Sequence, residues 1–166
     1  MTRAGVVLVL PATERDVPAL RALGVRTWRA TYEGVLPGAA VEQSVAEQFN
    51  EYSLGAAVRD GRILAAHRDG ILVGLLEFDR VDATRTMVWK LYVDPDAQGR
   101  GIGGLLLERL LQGATTPEVR VEHDERNAVA GAFFDEFGFG VDEVVDEGAG
   151  ARTVRRVRRL TPARPR

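Results

Sequence analysis

The chain has 166 residues, 45% of them apolar, and a formal net charge of −2. That length and apolar content point to one globular domain with a full core and exclude a disordered chain. The near-balanced charge advertises no nucleic-acid surface, the lack of cysteine excludes disulfides, thiolate nucleophiles and cysteine-based zinc sites, and no apolar run approaches the ~20 residues that span a bilayer.

Val6 to Leu10 reads as a strand, too short before Pro11 for a secretion signal, so a soluble cytoplasmic protein is expected. Thr13 is set to cap a helix, with Asp16 at capping-box distance and Leu20 and Leu23 on one face. A second helix is predicted from Arg26 to Tyr32, then a loop from Glu33 to Gly38, then a third helix from Ala39 to Gln48. Ala56–Arg59 and Ile63–His67 read as strands about the turn signal Asp60-Gly61. Arg68-Asp69-Gly70 is a further turn. Ile71 to Phe78 follows as an apolar strand whose two faces are both apolar, hence central in a sheet.

The next strand is Thr86 to Val93. Asp94-Pro95-Asp96-Ala97 turns the chain into Gln98-Gly99-Arg100-Gly101-Ile102-Gly103, and a helix is predicted from Gly104 to Gln112. Val119–Glu122 (a strand), Ala128–Glu136 (a helix) and strands near Phe139–Val145 and Arg152–Leu160 complete the order. Residues 161 to 166 read as a frayed tail. The whole is a mixed α/β sheet of about seven strands with flanking helices, in one domain over residues 1–160.

The glycine loop carries the chemistry. Glycines let backbone N–H groups approach a ligand without Cβ atoms in the way. The following helix adds unpaired N–H groups and the positive end of its dipole. Such a place holds phosphate. Gly99, Gly101 and Gly104 also fit G-x-G-x-x-G, the dinucleotide fingerprint, with Glu122 near the position of its ribose-binding acid. Against that, five residues separate strand and loop. Too little chain follows for a doubly wound sheet.

The order of strand, Val-Asp-Pro turn, Gln-x-x-Gly-x-Gly and amphipathic helix resembles the GNAT superfamily of N-acetyltransferases. Asn127 followed by a helix ending Phe134-Asp135-Glu136-Phe137-Gly138-Phe139 is similar to the second signature of that family. Pro11 to Asp16 resembles its first strand-to-helix turn. Trp28 to Tyr32, with Leu36-Pro37, is similar to the acceptor-side helix of one subgroup.

The resemblance implies acetyl-CoA as co-substrate and no metal. It implies a splayed pair of strands that admits the pantetheine arm, with Leu91, Tyr92 and Val93 on one of them and Val119–Glu122 on the other. The Val93 N–H then faces the thioester oxygen. Gln98, Gly99, Arg100, Gly101, Ile102, Gly103 and Gly104 hold the pyrophosphate, and Asn127 and Phe134 complete the cofactor contacts. Relatives often carry a tyrosine where this chain has Phe134, so the general acid is open. The implied partner is a small-molecule or peptide amine, with no nucleic acid and no membrane, and a homodimer stays open.

Transfer to an amine needs a base, because an alkylamine has a pKa of ~10. Glu77, at the end of the apolar strand, is the first choice. Its bland alternative is a solvated strand end. Glu33, Glu122 and His123 are further candidates, His123 because imidazole titrates near neutrality. Tyr92 and Tyr32 are candidate acids, or plain packing aromatics. Without cysteine the transfer is direct. Arg100 reads either as a phosphate contact or as an exposed arginine. Asn127 reads as a helix cap and His67 as structural. Arg152, Arg155, Arg156, Arg158 and Arg159 form the one basic cluster. The sequence reads them as a charged sheet-edge strand facing Glu143, Asp146 and Glu147, in preference to a nucleic-acid surface.

Overall fold

The computed structural model describes residues 5–161. The chain forms two compact units. The first runs up to Glu77 and resumes over Lys90–Leu110; the second is Phe78–Trp89 with the chain from Leu111 onward.

The elements are β1 (Val7–Pro11), α1 (Val17–Tyr32), α2 (Gly38–Gln48), α3 (Glu51–Arg59), β2 (Ile63–Arg68), β3 (Ile71–Arg80), β4 (Arg85–Val93), α4 (Ile102–Gly113), β5 (Glu118–Asp124), α5 (Ala128–Glu136), β6 (Gly140–Gly148) and β7 (Ala151–Arg159). Short 3-10 turns at Glu14–Asp16 and Pro95–Ala97 precede α1 and α4. The strands hydrogen-bond as one seven-stranded sheet in the order β1-β2-β3-β4-β5-β7-β6. The β4–β5 pair is parallel, whereas β1–β2, β2–β3, β5–β7 and β6–β7 are antiparallel. This mixed α/β sheet fits the expected class. Its antiparallel pairs exclude the doubly wound alternative, which needs successive parallel strands.

In the first unit, α1 and α3 bury Leu20, Leu23, Leu54 and Ala57 against Ile63, Ala65, Leu72 and Leu75 of β2 and β3. The interior of β3 from Leu72 to Glu77 is buried throughout, as its two apolar faces predict. Helix α4 covers β3 through Gly74. A Cβ there would stand 3.0 Å from Leu106 Cδ1 and 3.1 Å from Ile102 Cγ2. The second unit buries Val119 and Val121 of β5, Phe134 of α5, Phe139, and Val154 and Val157 of β7.

Three local expectations are corrected. Arg26–Tyr32 is not a separate helix: α1 runs unbroken through Gly24, which sits against the Phe49 ring. Ala56–Arg59 is not a strand but the end of α3. There Gly61, at φ +69°, makes the left-handed stop. Arg62 N–H bonds Ala57 O at 2.8 Å, and Gly61 N–H bonds Val58 O at 3.0 Å. Asp60-Gly61 serves a helix end as well as a hairpin, and Asn50 supplies the missed start by accepting from Ser53 N–H at 2.8 Å. Finally, β7 is interior rather than at the edge: it lies between β5 and β6, and β6 is the exposed edge strand.

The Asp69-Gly70 turn is as expected, with both residues at positive φ (52° and 79°). The predicted helix Ala128–Glu136 is α5, capped by Asn127 and stopped at Gly138 (φ +77°). The predicted tail lies outside the described residues beyond Thr161.

Candidate functional site

The glycine loop lies in the first unit between β4 and α4. Asp94 opens the turn by accepting from Asp96 N–H at 3.0 Å, and Arg26 of α1 pairs with the same carboxylate. Burial opposes ionisation of Asp94. The Asp96 N–H and the Arg26 guanidinium outweigh it, and the charge of Arg68 adds to them, so its carboxyl sits below the ordinary range. Gly99 and Gly101 have φ of +72° and +76°, and a Cβ built on either meets nothing within 4 Å. The loop therefore needs glycine for its backbone and leaves open space where side chains would stand.

The first bond of α4 runs from Leu105 N–H to Gly101 O at 3.1 Å. The N–H groups of Ile102, Gly103 and Gly104 thus belong to the first turn, which has no intrahelical acceptors. Ile102 is 1% exposed, so its side chain anchors the loop in the core. The Gln98 side chain donates to Val93 O at 3.2 Å and ties the loop back to β4. Arg100 is exposed.

Asp94 N–H donates to Val73 O at 2.9 Å. Successive N–H groups of a strand point to opposite edges, so the Val93 N–H faces away from β3. On that side the ladder with β5 ends at Val88↔Val121. Leu91 and Val93 lie beyond the last pair of that ladder.

Glu77 is 9% exposed rather than a solvated strand end. Lys90 of β4 donates to its Oε2. Arg62 Nη1 stands 3.8 Å from Oε1, beyond hydrogen-bond reach, while its other nitrogen pairs with Asp60 at 3.1 Å. Lys90 Nζ also lies 6.0 Å from the centre of the Phe49 ring. Sequence reasoning missed this cluster. The signal available was that Lys90 is the single lysine among 22 basic residues.

Tyr92 packs edge-on to Phe49, with ring centres 5.7 Å apart. Phe49 meets Trp28 at 6.2 Å and Trp28 meets Tyr32 at 4.4 Å, which makes one aromatic wall. Burial, with Tyr32 and the Glu77 charge, pushes the Tyr92 phenol well above its ordinary value. That makes it a weaker acid.

Asn127 and Phe134 belong to the second unit. The Asn127 carboxamide accepts from Ala130 N–H at 3.0 Å, as a helix cap. Phe134 is buried and lies among the rings of His123, Phe133 and Phe139, with centres 6.1, 5.2 and 5.6 Å away. His123, a candidate base, is half-buried. Arg156 Nε donates to its Nε2 at 2.9 Å. An arginine has no acceptor, so that nitrogen is bare and Nδ1 carries the proton to Asp124 O at 2.9 Å. Both ring nitrogens are engaged.

Of the other base candidates, Glu122 is tied up as well. Glu122 accepts from Arg155 at 2.8 Å, and Glu143 takes the same guanidinium at 2.9 Å. Arg152 pairs with Glu125 at 3.0 Å, Arg158 donates to Phe137 O at 2.7 Å, and Arg159 stands 3.4 Å from Glu118. The β7 arginines thus brace their own unit instead of forming a free basic face. His67 has the structural role expected, with Nε2 3.1 Å from Asp16 Oδ1. Glu33 is exposed in the loop after α1. Among the described residues no group of His, Cys, Asp and Glu could hold a metal ion, and no helix is long and apolar enough to cross a membrane.

Comparison with known proteins fits this geometry. Residues 24–139 match the sequence profile of the acetyltransferase (GNAT) family. A curated probable N-acetyltransferase of Mycobacterium tuberculosis is 26% identical over 132 residues, 76% of each chain. Among solved structures, the PaiA N-acetyltransferase of Thermoplasma acidophilum, in complex with coenzyme A, superposes with a TM-score of 0.79. It is 21% identical and covers 90% of this chain and 98% of its own. A Salmonella typhimurium protein solved with its cofactor acetyl-CoA has a TM-score of 0.73 at 16% identity, over 97% of this chain and 98% of its own.

Proposed function

This chain belongs to the acetyltransferase (GNAT) family, and on that premise we propose that it transfers the acetyl group of acetyl-CoA directly to a primary amine. The observation that carries the reading is the open loop at Gly99 and Gly101 before α4, in one unit with Leu91 and Val93 of β4. The backbone N–H groups from Gln98 to Gly104 hold the pyrophosphate. Leu91, Tyr92 and Val93 pair with the pantetheine amides. We take residues 1–160 as a single catalytic domain; the family match draws on both compact units.

In the transfer, the amine nitrogen bonds to the thioester carbonyl carbon and the C–S bond breaks. The Val93 N–H donates to the carbonyl oxygen as it gains charge. Glu77 takes the amine proton through water. Tyr92 serves as a hydrogen-bond donor instead of a full proton donor, because its phenol is held above its ordinary value. An ordinary thiol ionises at a pKa of ~8.5, so the thiolate leaves without a strong acid.

The test is thiol release from acetyl-CoA with spermidine, kanamycin, free amino acids and a peptide with an N-terminal alanine. Thermal stabilisation by acetyl-CoA but not by NAD accompanies it. Phe134, which has no proton to give, and the weakened Tyr92 favour a second reading: a non-catalytic acyl-CoA binder. Stabilisation by acetyl-CoA without thiol release from any amine would select that reading. A protein with neither response would sink both.

A further inference from the structure

The chain uses arginine almost everywhere that it needs a positive charge, yet the partner of Glu77 is Lys90, its one lysine. The two side chains differ in how they take a carboxylate. A guanidinium is a planar fork that closes on both oxygens, whereas an ammonium is a point donor that takes one. Here the ammonium takes Oε2. No hydrogen bond to Oε1 is formed among the described residues; Arg62 pairs with it only as a charge at 3.8 Å, while its other nitrogen bonds Asp60 at 3.1 Å. Lys90 itself is held by Phe49 and is only 17% exposed along its side chain. The carboxylate is therefore hydrogen-bonded at one oxygen, while the other has only the Arg62 charge beside it.

We propose that Lys90 is a positioning residue that anchors Glu77 by one oxygen and, because it is lysine and not arginine, leaves Oε1 free to accept the acceptor's proton. This rests on Glu77 being the base proposed above. A base with both oxygens engaged by N–H donors has no lone pair aimed at water or amine. A base with neither held loses its rotamer and its aim. The pair as built avoids both.

The experiment compares wild type, Lys90→Arg, Lys90→Met and Glu77→Gln by thiol release from acetyl-CoA with the panel of spermidine, kanamycin, free amino acids and the alanine peptide. Acetyl-CoA thermal stabilisation reports on folding and binding. Lys90→Arg keeps the charge, so a role limited to neutralising Glu77 predicts full activity. The proposal predicts that kcat falls by about tenfold or more at pH 7 with KM for acetyl-CoA unchanged, and that the deficit shrinks toward pH ~10, where the amine is already neutral. Lys90→Met should lose rate as well.

Full activity of Lys90→Arg beside an impaired Glu77→Gln overturns the role of Lys90 and leaves the base in place. An unimpaired Glu77→Gln removes the base and this proposal together. Where Lys90→Arg is not stabilised by acetyl-CoA, Lys90→Met decides, and its full activity overturns the proposal. A wild-type protein that releases no thiol with any of the amines overturns both the role of Glu77 as base and the role of Lys90.

Discussion

Gly24→Ala is a substitution for which ordinary helix rules predict the wrong sign. In the interior of a helix, alanine is favoured over glycine by about 0.5–1 kcal/mol. At this position of α1, however, a Cβ would overlap Cδ1 and Cε1 of Phe49 and stand 3.0 Å from its Cγ. Phe49 is 0% exposed, so its ring has no solvent to swing into. Overpacking of that kind costs about 1–3 kcal/mol. The balance is a net loss of up to about 2.5 kcal/mol. In a chain of 166 residues that lowers Tm by up to roughly 10 °C. Urea or thermal unfolding of the two proteins gives the number. Phe49→Leu in the same background should recover part of the loss, and a double-mutant cycle should show favourable coupling of about 0.5 kcal/mol or more. A Gly24→Ala protein as stable as wild type, or more so, would refute the packing argument. The same ring faces Lys90 and Tyr92, so activity should fall with stability in this variant.

Gly103→Val places a branched side chain in the first turn of α4 and should weaken acetyl-CoA affinity at least tenfold while leaving Tm within a few degrees, read by calorimetry and thermal unfolding; unchanged affinity would misplace the cradle. Tyr92→Phe should leave kcat within about fivefold, whereas a true general acid would cost ~10²-fold or more. Phe134→Tyr should leave turnover equal or higher if Phe134 stands where relatives carry a hydroxyl, and a loss of acetyl-CoA binding would argue that it only fills the core. Asp16 and Asp94 give the acid dependence of stability. Burial opposes ionisation of Asp16, but the Thr13 N–H and hydroxyl and the His67 ring outweigh it, and Asp94 is likewise held low. A carboxyl with a depressed folded-state pKa stabilises fully above its unfolded value of ~3.9 and loses that contribution as pH falls through the folded value. Asp94→Asn should therefore be less stable than wild type at pH 7, and the gap should close toward pH ~2 in acid titrations followed by circular dichroism.

The sequence by itself determined the parts whose physics is local. Glycines at 99 and 101 announce a left-handed loop because only they adopt its φ cheaply, and the Leu-rich run after them announces the helix. Asn127 with Gly138 brackets α5, since cap and stop act within a turn of the helix they bound. The buried run of β3 shows in its two apolar faces. What depends on which strands lie side by side was decided only by the tertiary structure. Ala56–Arg59 resembled a strand because Asp60-Gly61 can end a helix or join a hairpin, and burial of α3 against α1 and β2 chose the helix. The place of β7 between β5 and β6 has no local signature. Lys90 meets Glu77 across 13 residues, and Arg156 meets His123 across 33. Those contacts follow from strand neighbours and register, which set whether a carboxylate is open to solvent or held by one oxygen, and whether an imidazole is free or locked in one tautomer. Residue identity supplied the candidates; long-range pairing decided their state.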